Sequence, residues 1–145
     1  MDVAPARGVE AAAIAVSDRP AAAAAAAPGG ATVADAEVAV ARMHEMSSDL
    51  RGCAVIAPGG EALAASGELD RWGPAATDLL AAADVAAGET ASQVHVGTED
   101  GEAFAVRLGE FAVVAVAERF TLASLILFDM RTVLRDLVRA AGGSA

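Results

Sequence analysis

His44, His95 and Cys53 carry the side chains from which a nucleophilic or metal-binding centre could be built, and they are the chain's only histidines and only cysteine. A Cys–His pair needs thiol and imidazole adjacent in space, a third group to orient the base, and a donor for the oxyanion. His44 falls on the mixed face of an amphipathic segment, ahead of Cys53, which opens an apolar run. That context predicts Cys53 to be a small core hydrophobe, because free cysteine is among the most buried side chains. His95 stands in an alternating stretch with no second ligand at a metal-binding spacing, so a half-exposed strand residue at an interface is expected.

The acids Glu99, Asp100 and Glu102 flank a turn. The loop is far too short for an EF-hand, and solvated turn acids are the expectation. Gly59-Gly60 and Gly142-Gly143 match no phosphate-cradling pattern, and a chain without lysine has no Walker lysine. The sequence therefore predicts no catalytic, cofactor-binding or metal-binding set.

Composition narrows the partners. The 145 residues suit one domain. A net charge of −10 argues against nucleic acid, whose phosphates require a basic surface, and against an anionic membrane. Alanine supplies 40 of the residues, so the hydrophobic fraction of 55% overstates the large apolar side chains. Lysine, asparagine and tyrosine, all encoded by AT-rich codons, are absent, which points to a GC-rich bacterial genome. A lone cysteine excludes a disulfide framework and suits a reducing cytoplasm. No apolar run approaches the ~20 residues of a membrane-spanning helix. Ala11 to Val16 lacks the basic flank of a secretory leader.

The elements that must position these residues begin after a distinct leader. Pro20 and Pro28 bracket seven alanines, with Gly29-Gly30 following. Residues 1–31 thus read as a low-complexity, disordered tail, because they bury too little to offset their ordering entropy. From Thr32 the pattern is helical, with Val33, Val40, Met43, Met46 and Leu50 in phase, Thr32 as cap and Gly52 as stop. The stretch AVIAPGGEALAASG over 54–67 makes a hairpin across Pro58-Gly59-Gly60. A second, alanine-rich helix follows, with Pro74 suiting its first turn and Gly88 its end.

Three strands come next, over 93–99, 102–108 and 111–117, joined by the tight turns Asp100-Gly101 and Gly109-Glu110. The first alternates and reads as an edge, whereas FAVVAVA is apolar on both faces and reads as central. A last helix runs from about Leu122 to Ala141. Leu122, Ile126, Met130, Val133, Leu134, Leu137 and Val138 fall on one arc. Arg131, Arg135 and Arg139 fall on the other, with Phe128. Cations near a helix C-terminus complement its dipole. Phe128 has no such explanation, and these four residues are the candidate partner-binding face. The order α-β-β-α-β-β-β-α with tight strand links predicts an α+β fold, an α/β/α sandwich. Its five-stranded antiparallel sheet carries one helix on one face and two on the other.

This layout, with the hairpin AVIAPGGEALAASG, the alanine-rich second helix and FAVVAVA leading into a leucine-rich last helix, resembles the roadblock (dynein light chain) family. The resemblance covers about Val33 to Ala141, within a domain over 32–141. It implies a non-enzymatic, cytoplasmic homodimer without cofactor that regulates or scaffolds a small Ras-like GTPase, as bacterial members do. Family dimers join through the second helix and third strand, which would put Trp72, Ala76, Leu79, Leu80, Ala83, Val94 and His95 at the seam. Independently of the resemblance, the alternating strand needs cover at its edge, and small residues on the second helix permit close approach. A small-molecule-sensing or protein-interaction module of profilin-, PAS- or GAF-like kind is the alternative. It would require a roomy pocket with convergent polar groups.

Overall fold

The computed structural model describes Val16–Ser17 and residues 32–142. Helix α1 (Val33–Met46) starts where expected, on a capping box: the Thr32 hydroxyl accepts the Asp35 N–H at 3.0 Å and the Asp35 carboxylate accepts the Thr32 N–H at 3.2 Å. It stops earlier than the sequence suggested. Ser47 caps it, with its N–H on the Met43 carbonyl, and its hydroxyl donates to the buried Asp129 carboxylate at 3.0 Å. Leu50 and Gly52 therefore belong to strand β2 (Leu50–Ile56) and not to the helix. Gly52 is small for a different reason: a Cβ there would lie 3.2 Å from the indole of Trp72.

Strand β3 (Ala62–Ala65) completes the hairpin, and helix α2 (Leu69–Ala87) follows, ending at Gly88 as predicted. Pro74 lies inside α2, because the helix begins at Leu69. Its missing N–H leaves the Asp70 carbonyl without an intrahelical partner. The preceding residue, Gly73, lets the hairpin corner approach the helix, since a Cβ there would be 3.1 Å from the Gly60 carbonyl oxygen. Strands β4 (Ala91–Gly97), β5 (Glu102–Leu108) and β6 (Phe111–Ala117) lead into helix α3 (Ala123–Ala141).

These strands form the five-stranded antiparallel sheet of the expected sandwich, in the order β4-β5-β6-β2-β3. The FAVVAVA strand β6 is central, as its two apolar faces require. The register produces two cross-strand rows of opposite facing. Val94, Ala105, Val114, Ala54 and Ala65 align across the sheet, on the side covered by α2. His95, Phe104, Ala115 and Cys53 align one residue along, facing α1 and α3. Phe104, Cys53, Met43, Met130 and Leu134 fill that second core.

A further short strand, β1 (Val16–Ser17), extends the sheet to six by pairing antiparallel with the outer side of β4. The rest of the leader, expected to be disordered, lies outside the described residues. One more correction concerns Leu122. It precedes α3 in extended conformation, so it escapes the buried arc and is 64% exposed.

Candidate functional site

The residues able to do chemistry are built into the scaffold. His95 and Cys53 share one cross-strand row, but Phe104 and Ala115 stand between them. Three strand spacings of about 4.8 Å put them roughly 14 Å apart. Burial pushes the Cys53 thiol up to about 11, against a smaller opposing effect of the Ser66 hydrogen bond. A thiol so protonated is a poor nucleophile.

Ser66 is the residue that the sequence reading missed. Its hydroxyl lies 2.7 Å from His44 Nε2 and accepts the Cys53 N–H at 3.0 Å, while its carbonyl accepts the Trp72 indole N–H at 3.0 Å. Nucleophile and base thus touch, but among the described residues no carboxylate orients the imidazole. The contact ties α1, the hairpin and α2 together. No local signal marks Ser66, because its partners come from three separate elements.

His95 stacks on Phe104, with ring centroids 4.7 Å apart and planes 8° from parallel. Its Nε2 meets Glu102 Oε1 at 2.8 Å, and the other Glu102 oxygen accepts the Phe120 N–H at 2.9 Å. Phe120 needs that anchor: its φ of +63° is left-handed, a costly conformation for a bulky residue. The anchored ring is 84% exposed, with the Arg119 guanidinium 4.6 Å above it. Among the described residues no three His, Cys, Asp or Glu side chains are grouped to hold a metal ion.

The residues named for a dimer seam divide into two sets. Ala76, Leu80 and Ala83 face the protomer's own sheet, together with Val94, and are buried there. They are unavailable to a partner. An inward arc at 76, 80 and 83 is mirrored by an outward arc at Ala75, Leu79, Ala82 and Ala86, with the same helical spacing. Leu79 is half-buried and the three alanines are exposed, as is Val85. Trp72 is half-buried under the hairpin, and His95 points toward α3.

The four residues named for a partner face do come together on the outside of α3. Phe128 is 57% exposed and continues a stripe from Leu122 and Leu125. Arg135 is exposed, and Arg139 reaches Asp136 at 3.3 Å. Asp136 also binds Arg42 at 2.7 Å, and that hydrogen bond holds its carboxyl below the ordinary range. Arg131 donates to the Gln93 amide oxygen, which fixes α3 beside β4.

The β4 edge itself is held by a clamp that sequence reasoning also missed. Asp84 near the end of α2 takes Arg107 of β5 in a two-pronged pair at 2.7 and 3.1 Å. The same carboxylate accepts the Ala91 N–H at 2.8 Å, and Arg107 donates to the Ala91 carbonyl at 2.8 Å. The turn from α2 into β4 is thereby locked to the sheet. A shallow depression between hairpin and α2, lined by Gly60, Leu69, Asp70, Gly73, Thr77 and Asp78, is the largest concavity among the described residues. It presents acids and backbone with little apolar wall. Among the described residues no helix is long and apolar enough to cross a membrane.

No family model matches the chain, and no curated protein matches it. Among solved structures it is similar to a roadblock/LC7 domain from Streptomyces avermitilis, at 13% identity and a TM-score of 0.61, over 70% of this chain and 93% of that one. It is similar to the gliding protein MglB of Thermus thermophilus, at 18% identity and a TM-score of 0.62, over 86% of this chain and 98% of that one. A chain of the complex of LokiProfilin2 with rabbit actin also matches, at 10% identity and a TM-score of 0.56, over 71% and 95%. The chain has the roadblock/LC7 fold.

Proposed function

We propose that this chain is a non-enzymatic, dimeric regulator or adaptor of a small Ras-like GTPase in a bacterial cytoplasm. The observation that carries the reading is the clamped β4 edge, with the small outward arc Ala75, Leu79, Ala82 and Ala86 on the helix that leads into it. A strand edge beside a helix with little side-chain bulk suits a symmetric partner, which extends the sheet and lets two helices approach closely. The seam so revised keeps Leu79 and the β4 backbone and replaces the buried alanines by the outward ones. The GTPase is the partner that the roadblock resemblance implies.

The exposed stripe on α3, with Phe128, Arg135 and Arg139, is the proposed partner face. It combines large apolar side chains with cations in a chain of net charge −10. The buried thiol and the unoriented His44 support a non-enzymatic role. The likeness to a chain of the LokiProfilin2 complex favours, as a second reading, a profilin-like protein-interaction module.

The experiment is co-purification of the full chain with Ras-like GTPases from the same genome, loaded with GDP or a GTP analogue. Binding that depends on the nucleotide supports the reading, and failure to bind either state removes the GTPase from it.

A further inference from the structure

We infer that the outer edge of β4 is one binding site with two competing occupants: the chain's own Val16–Ser17 strand and the β4 edge of a second copy. The inference rests on the dimer reading above and goes beyond it by assigning the leader a role in controlling assembly.

The register carries the argument. Val16 pairs with Gln93 and Ser17 with Ala91, so β1 covers the first half of β4. A two-fold pairing of β4 with its copy sets residue i opposite j and j opposite i. If it uses all of Ala91–Gly97, its centre is Val94, which places Gln93 opposite the copy's His95 and Ala91 opposite the copy's Gly97. Gln93 and Ala91 are then required by both occupants. Edge N–H and C=O groups on one side of a strand can serve one neighbouring strand at a time. With β1 in place only 94–97 remain for a partner, too short a stretch for the full ladder.

The two occupants differ in how they depend on concentration. Val16–Ser17 is joined to the domain through residues 18–31, so its pairing is intramolecular and independent of protein concentration. The second copy must arrive from solution. The cap is also built to yield, being two residues long with its register shifted between Val16 and Ser17. It shields an edge that would otherwise pair with other chains, and it raises the concentration at which the proposed dimer forms.

The test is sedimentation equilibrium of the full-length chain and of the double variant Val16→Pro, Ser17→Pro. Proline has no N–H for the ladder and fits poorly into a paired strand. The variant is expected to self-associate about threefold or more tightly, the scale of losing one or two competing backbone hydrogen bonds. Unchanged association in a parent that does dimerise overturns the inference and leaves the dimer reading intact. Weaker association also overturns it, by showing that the leader belongs to the interface. If neither protein associates at high concentration, the dimer reading fails and takes the inference with it.

Discussion

Arg107 grips Asp84 with two guanidinium nitrogens, at 2.7 and 3.1 Å, and so joins the last turn of α2 to the middle of the sheet. The hydrogen bond from Arg107 holds the Asp84 carboxyl below its ordinary range, with burial opposing it. A depressed folded value means that the pair stabilises the protein above the unfolded value of about 3.9, and that this is lost as the pH falls through the folded value. Arg107→Ala should cost about 1 kcal/mol at neutral pH, a modest figure because the pair is partly solvated. In urea melts the gap between parent and variant should narrow below about pH 4. A gap that widens on acidification would contradict the assignment.

Cys53 should be silent in the folded protein. Its thiol is buried in the row of Phe104 and Ala115 and pushed up to about 11. Labelling with a thiol-directed reagent at neutral pH should be slow in buffer and complete in denaturant. Rapid stoichiometric labelling of the native chain would place the thiol at the surface and reopen a nucleophilic role.

Neighbouring alanines on α2 should behave oppositely. Ala83 is 6% exposed and packed on the sheet, so Ala83→Arg should destabilise the protomer by at least about 2 kcal/mol. Ala82 is exposed, and Ala82→Arg should change protomer stability by no more than about 0.5 kcal/mol. The proposed dimer, however, should separate in Ala82→Arg. Thermal melts and sedimentation together read both effects. A stable dimer of Ala82→Arg would remove α2 from the seam.

Phe128→Asp and Arg135→Glu alter exposed side chains of α3. Each should leave the melting temperature within the usual small range for surface changes. Each should weaken GTPase binding about tenfold or more if this stripe is the partner face, since a buried aromatic anchor commonly exceeds 1 kcal/mol on truncation. Full binding by both variants, measured by titration calorimetry, would move the partner to another surface.

The layered fold was legible because its signals are local and periodic. Thr32 with Asp35 marked a helix start, the alternation around Val94 and Val96 marked a strand, and FAVVAVA marked the sheet centre. Gly52 misled because a glycine after a periodic run signals a helix stop, whereas here it makes room for an indole from α2. The seam residues misled because alanine on both arcs of α2 gives no contrast between inside and outside. Ser66 with His44, and Asp84 with Arg107, were invisible because their partners meet only after the sheet assembles. The pairing of Val16–Ser17 was hidden for the same reason, since it depends on the β4 edge.

The most direct test of the account is the mass of the full chain by light scattering, alone and mixed with a Ras-like GTPase from the same genome in each nucleotide state. The account predicts two 14.3 kDa subunits in the unmixed protein, and a larger complex with the GTPase in one nucleotide state. A single 14.3 kDa subunit at every concentration, with no complex in either state, would contradict it.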